Sequence, residues 1–488
     1  MNVYSHIIEK VFVEVNTANM TTATAIRDNI AGLLEQRFFP ELSKILDEWS
    51  PTDKIIRFQT FDLNVRIPAD NWADRLEKVM TDLFLQRMKA VVGSPDDGKS
   101  GVTLQNGMEI IPVEGNREEL FFFFLEKGRL PWFGTKVDLL EFLQLKNWKE
   151  SLEKPEFLNR LINLLKKGSG MNDRFIFQLE EKQKMLFLKK INPAVEKATD
   201  VVHLMHIVPA DAKASFFSFL LEISLGSETA RLQHSSRQLA SALGKISGLK
   251  TKKPVSTLLP VLIGIMQKSN LLSNREKEKI AEIISASSGT DRTVFPYVKG
   301  IENRTEFPMI EEVGQESFFT PDKGGIAVQN AGLILLHPFL KTFFQAIEVL
   351  DERDQIKESA RSLAIQTLHF VATGESDFFE CDLVFEKILC GVSLTIPVKR
   401  ESLLSKRIKD ESRQLLCEVI RQWPALKNSS PDGLRQLFIQ RDGKLVQEEH
   451  HYKLLMERKA QDILLDKLNW NSSLAKIPWR TELLFVEW

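Results

Sequence analysis

The chain has 488 residues, with 65 Lys and Arg against 66 Asp and Glu and a formal net charge of −1. That balance removes the electrostatic drive for non-specific binding to nucleic acid or acidic membranes, and the 43% hydrophobic content excludes wholesale disorder. Three cysteines, Cys381, Cys390 and Cys417, form no CxxC pair and are too few for a disulfide framework, so a cytosolic, reduced chain is expected. The first fifteen residues lack the apolar core of a signal peptide. The longest apolar stretch, 255–266, is too short for a membrane span of about 20 residues.

At roughly 150 residues per domain the length predicts about three domains. Residues 6–15 alternate through Val11, Val13 and Val15 and read as a strand. Residues 21–49 show helical spacing through Ile26, Ile30, Leu33, Leu34 and Phe38, with Pro40 expected to end or kink the helix near Phe39. Residues 55–67 alternate again, and 72–88 are amphipathic. This is a small β-α-β-α domain over 1–88. Residues 89–118 carry Pro95, Gly98, Gly107, Pro112 and Gly115 without a sustained period, and read as a linker. A helical region follows over 119–290, with segments at 137–148, 156–167, 200–207, 214–225, 227–246, 255–269 and 275–285. Its short segments suggest helix pairs. Residues 291–325 form an irregular connection.

The C-terminal region, 326–488, begins helical, at 330–350, 355–371 and 411–423. It then turns to short strands around Asp442-Gly443, a hairpin dipeptide between 437–439 and 445–446. Further strands are expected at 452–458, 474–477 and 483–486, with a helix at 460–468. The predicted fold class is therefore α+β, mainly α-helical: a small N-terminal α+β domain, a central helix-pair region, and a C-terminal domain of helices plus short strands.

Chemistry is sparse. Gly93 to Ser100 matches the spacing of a phosphate-binding loop, but a surface helix precedes it, Asp96 and Asp97 occupy the phosphate position, and Pro95 removes an amide. That reading is rejected. His203 and His206 with Asp200 have one-face spacing for a metal, yet no fourth ligand is evident and a structural pair is favoured. The three cysteines sit among apolar neighbours and read as buried free thiols. No catalytic residue, cofactor or metal is assigned, and the chain is expected not to be an enzyme.

The C-terminal third is more distinctive. Trp423-Pro424 breaks a helix, Pro431 restarts one at a position proline favours, and Trp470, Trp479 and Trp488 fall nine residues apart. These tryptophans read either as core of a terminal domain, which is favoured, or as an exposed aromatic docking surface.

At these residues the sequence resembles the tape measure proteins of bacterial contractile injection systems. The resemblance is carried by 328–340, which includes Asn330, His337, Pro338 and Phe339, and by 387–391, which includes Cys390 and Gly391. It continues through Trp423, Pro424 and Lys427, through Asp432, Gly433 and Arg435, through Arg458 and Asp462, and to the end at Pro478, Trp479, Glu487 and Trp488. Near the start, 6–11 and 128–132 are similar to the family's opening segments. The resemblance implies a non-enzymatic structural protein that sets tube and sheath length and links to the baseplate. Its implied partners are the tube, baseplate or spike, and tube-terminator proteins, with neither nucleic acid nor direct membrane insertion. The implied location is the bacterial cytoplasm or the assembled particle. An assembly chaperone or adaptor is the alternative; a nucleotide- or metal-dependent enzyme using Lys99 or His203 and His206 is a remote one. Fully helical, 488 residues would reach roughly 730 Å, and the Gly/Pro-broken ends leave only the middle able to extend.

Overall fold

The first helix, α1 (Met20–Leu33), starts where Asn19 accepts hydrogen bonds from the amides of Thr21 and Thr22, satisfying two otherwise orphaned donors. The computed structural model to which it belongs describes residues 6–8, 11–49, 54–58, 60–68, 72–92, 108–193, 195, 210–227, 231–239, 325–448 and 451–488. They fall into two compact units, Met1–Leu120 with Trp132–Gly134, and Phe121–Pro131 with Thr135–Trp488.

In the first unit α1 runs through a π-helical turn, Leu34–Phe38, into α2 (Phe39–Trp49). Of the end or kink expected at Pro40, the end is not found: the helix changes to a π-helical turn just before Phe39 and runs on. The widened turn before the proline already departs from the i→i−4 ladder, so a residue without an N–H is tolerated there. Leu33, Leu34, Phe38 and Leu42 bury against Phe84 and Met88 of α3 (Trp72–Val92). Strand β1 (Lys54–Phe58) pairs antiparallel with β2 (Met108–Pro112), Lys54 facing Pro112 and Phe58 facing Met108. The expected linker is thus structured at its end: β2 leads straight into α4 (Val113–Lys127). Local punctuation hid a strand whose partner lies about fifty residues earlier in the chain. The expected strand at 6–15 is not formed among the described residues, and the one at 55–67 is confined to β1. Alternation specifies an extended chain, whereas a strand also needs a neighbour to pair with.

The second unit opens with short helices: α5 (Lys136–Phe142), α6 (Leu145–Glu153), α7 (Pro155–Lys167), α8 (Ser169–Gln178), α9 (Glu181–Ile191) and α10 (Ala210–Leu225). A Thr135–Asp138 capping box starts α5, and Pro155 occupies the first turn of α7. Phe121, Phe142 and Phe157 surround the fully buried Trp148, whose indole N–H donates to Gln183 O at 3.0 Å. The expected segments at 200–207, 255–269 and 275–285 lie outside the described residues, and 227–246 is described only in part, with 231–239 helical.

Beyond β3 (Ile326–Val328) the chain forms a 3₁₀ segment, Ala331–Leu336, and helices α11 (His337–Ala346), α12 (Arg361–Thr373), α13 (Val384–Leu389), α14 (Lys406–Gln422) and α15 (Pro431–Leu434). Strands β4 (Gly443–Glu448), β5 (His451–Met456), β6 (Leu474–Ala475) and β7 (Leu483–Glu487) complete a mixed sheet ordered β3-β4-β5-β7-β6. The β5–β7 pair is parallel and the others antiparallel. Ile326, Val328, Leu445, Tyr452, Leu454, Leu484 and Val486 form its inward face and share one core with the helices. The expected hairpin around Asp442-Gly443 is a correction. Leu437–Ile439 belongs to a π-helical turn, Arg435–Ile439, because consecutive Phe438 and Ile439 are both buried; the hairpin is β4–β5. The segment expected as one helix at 330–350 is the 3₁₀ segment followed by α11, and 460–468 is 3₁₀ over Ala460–Lys467. The fold is mainly α-helical with a few short strands, in agreement with the predicted class.

Candidate functional site

A buried ionic cluster joins the central helices to the C-terminal part of the second unit. Arg174 on α8 donates from Nη1 to Leu125 O at 2.6 Å, and from Nη2 to Glu380 Oε1 at 3.1 Å and Thr395 O at 2.9 Å. Lys387 on α13 donates from Nζ to the same carboxylate oxygen at 2.5 Å and to Ile396 O at 2.7 Å. Gln178 accepts from the Glu380 amide at 2.9 Å and donates to Val398 O at 2.7 Å. The side chains of Arg174, Glu380 and Lys387 are at most 1% exposed. Burial pushes the Lys387 ammonium down and Glu380 opposes it. One carboxylate oxygen serves two cations, and main-chain carbonyls accept further bonds from Arg174 Nη1 and Nη2 and from Lys387 Nζ, which makes such a charge group tolerable in a core. Among the described residues Arg174 Nε and Glu380 Oε2 have no hydrogen-bond partner. Gly128 has φ +70° here, and a Cβ on it would lie 2.6 Å from Leu394 O and 2.8 Å from Glu380 Oε1. Glycine is therefore required at that close approach.

A second group surrounds Glu386, which is fully buried. Asn330, in the left-handed conformation, donates to Glu386 Oε1 at 2.9 Å, and His369 Nδ1 lies 3.4 Å from the same oxygen. A third pairs buried Arg441 with Asp462 through two parallel bonds of 2.5 and 3.0 Å. Arg435 closes the C-terminal end of α12. It donates to Val371 O at 2.9 Å and to Asp432 at 2.6 Å, while Gln440 donates to Ala372 O at 3.0 Å.

The C-terminal tryptophans face inward. Trp423 is fully buried and donates to Leu464 O at 3.0 Å; half-buried Trp470, Trp479 and Trp488 donate to Leu335, Leu389 and Ser472 carbonyls at 3.0, 2.8 and 2.9 Å. Trp470 meets Phe339 edge-on at 5.2 Å, and Trp479 stacks on Phe344 at 5.0 Å. Each ring fills core volume while its N–H satisfies a carbonyl of irregular backbone. His337 Nε2 donates to Asn471 O at 3.0 Å, and burial holds its pKa below the ordinary value.

The remaining motif residues divide by exposure. Asn330, Cys390, Trp423, Arg435 and Asp462 are buried; His337, Phe339, Gly391, Gly433 and the last three tryptophans are half-buried. Pro338, Pro424, Lys427, Asp432, Arg458, Pro478 and Glu487 are exposed, with Glu487 bonded to Lys453 at 2.7 Å. Cys381 and Cys390 are buried and their thiols are pushed up by burial, but Cys417 is exposed, correcting the expectation for that residue. It lies on the solvent face of amphipathic α14, beside buried Leu416. Residues Gly93–Ser100, His203 and His206 lie outside the described residues. Among the described residues no three His, Cys, Asp or Glu side chains are grouped to hold a metal, and no helix is long and apolar enough to cross a membrane.

Sequence reasoning did not single out Arg174, Glu380, Glu386 or Lys387. A signal existed: Glu386 and Lys387 interrupt the apolar run Val384-Phe385 to Ile388-Leu389, where unpaired charge is costly.

A further titratable group sits on α8. Asp173 is half-buried, and burial raises its pKa to about 6, with Glu222 adding to the shift and Lys399 opposing it. The folded chain then holds more protons than the unfolded chain between pH 4 and 6, so this group's stability contribution is lost as pH rises through about 6. Asp173→Asn is expected to raise unfolding stability at pH 7 by about 1–2 kcal/mol and to have little effect at pH 4, checked by urea unfolding at both pH values.

These buried charge groups join distant segments of the second unit. A scan against protein families matches the contractile injection system tape measure protein family over residues 5–488. The chain belongs to that family, whose members are structural components of phage-tail-like particles associated with tube and sheath. No curated protein and no solved structure matches the chain.

Proposed function

We propose that this chain acts in setting the length of the injection-system tube and sheath and in linking that tube to the baseplate. The observation that carries the reading is the family match along 5–488. The C-terminal part of the second unit supports the link, because its inward tryptophans and ion pairs make a rigid end on which exposed Lys427, Arg458 and Pro478 are held. Tube, baseplate or spike, and terminator proteins are the partners of this reading. Insertion of a helical block within 140–290, with particles measured by electron microscopy, is expected to lengthen the tube; unchanged lengths would overturn the ruler role.

One observation favours a second reading, an assembly adaptor. The longest continuous helical run among the described residues is Met20–Trp49, through α1, the π-helical turn and α2, or roughly 45 Å, far shorter than the fully helical chain would reach. Mass spectrometry of purified particles separates the two: a tape measure is retained in the particle, an adaptor is absent from it.

A further inference from the structure

Residues 60–68, just beyond β1, form neither helix nor turn, and their exposure alternates strictly from 61 to 68, as along a strand. Phe61, Leu63, Val65 and Ile67 are half-buried, while Asp62, Asn64, Arg66 and Pro68 are exposed. The Phe61 ring packs at 5.3 Å against Phe58 and at 4.8 Å against Phe84, and Leu63 lies on the same core. One face of a strand is therefore already seated. Yet among the described residues no main-chain or side-chain hydrogen bond reaches 60–68. A seated strand with a bare edge is a template for another strand, since backbone amides and carbonyls otherwise rely on water alone.

The sequence specifies which strand fits. Phe61-Asp-Leu-Asn64-Val-Arg-Ile67 is symmetric about Asn64 in apolar and polar positions, and antisymmetric in charge. We infer that two copies of this chain join edge to edge through residues 61–67, antiparallel and centred on Asn64. In that register Asp62 faces Arg66 of the second copy and Arg66 faces its Asp62, both on the exposed face. Leu63 faces Val65, and Phe61 faces Ile67, extending the seated apolar face. Opposite charges directly across an antiparallel pair stabilise it, and like charges there oppose it. The contact is isologous, so one patch serves both chains and the assembly closes as a dimer. Residues 11–17 of the same chain also form neither helix nor turn and are exposed, but they carry only Glu14 as a charge and leave Asp62 unmatched. This inference is independent of the length-control reading.

The test uses the full chain with Cys417→Ser, which leaves the buried Cys381 and Cys390 as the only native thiols. Asn64→Cys places two thiols face to face at a Cα separation of about 4.5–5.5 Å, within disulfide reach. Mild oxidation is expected to give a covalent dimer at least ~10-fold faster than with Ser43→Cys, an exposed position on α2. By sedimentation, Asp62→Lys is expected to weaken the dimer roughly 10-fold and Asp62→Lys with Arg66→Asp to restore it. The inference is overturned by a monomer in light scattering at high protein concentration, by equal cross-linking of the two cysteine variants, or by an intramolecular bond between Asn64→Cys and Val13→Cys.

Discussion

Replacing Gly332 by alanine is expected to destabilise the second unit by roughly 4 kcal/mol or more, near the upper limit of single-residue effects. The Cβ would lie 1.6 Å from Phe438 O, 2.6 Å from its carbonyl carbon and 2.8 Å from Ile439 Cα. All three obstacles are main chain, so no rotamer change relieves the clash. The 3₁₀ segment Ala331–Leu336 would have to withdraw from the π-helical turn Arg435–Ile439. That withdrawal also strips Ala331 N–H from Arg441 O, a 2.8 Å bond, and opens the fully buried Leu336 and Phe438. Overpacking against yielding side chains costs about 1–3 kcal/mol; against backbone the cost is higher. Urea unfolding followed by tryptophan fluorescence measures it, because Trp423 stands 4.7 Å from Phe438. A loss below about 1 kcal/mol would show that the two segments separate easily.

Glu380→Ala is expected to cost about 3–5 kcal/mol, the usual result of removing one member of a buried ion group. It leaves the Arg174 and Lys387 side chains, each 1% exposed, without their shared counter-charge. Lys387, already pushed down by burial, can shed its proton, whereas Arg174 cannot. The loss is therefore expected to be smaller at pH 9 than at pH 7. Glu380→Leu combined with Lys387→Met should recover part of the stability, since apolar replacement of a whole buried pair is often tolerated. If Glu380→Ala proves neutral by urea unfolding, the ionic cluster does not hold α8 to α13.

What the sequence revealed follows the range of each interaction. Helix α7 was expected at 156–167 and occupies Pro155–Lys167, because its apolar spacing and first-turn proline are local signals. Strand β7 was expected at 483–486 and occupies Leu483–Glu487 for the same reason. The 3₁₀ segment read as helix, since Ala331 to Leu336 are all buried and present no polar face to mark a period. Its glycine requirement arises from contact with Phe438, far along the chain, and no local pattern encodes that. Among the motif residues, Trp423 drew attention by residue type and Asp462 through the family resemblance, but their partners Leu464 O and Arg441 became visible only in three dimensions. Arg174 carries no local signal of its role in the helical region, and it is the centre of the core ionic cluster.

The span of that cluster along the chain bears on synthesis. Arg174 and Glu380 are 206 residues apart, and Gln178 reaches Val398 across 220 residues. During translation at about 5–20 residues per second, roughly 10–40 s pass between the emergence of α8 and that of its last partner. Contacts of such long range also fold slowly. For that interval the polar groups that become buried on α8 remain open to water, so the newborn chain offers a different surface from the finished one, and truncation before residue 398 holds it in that form.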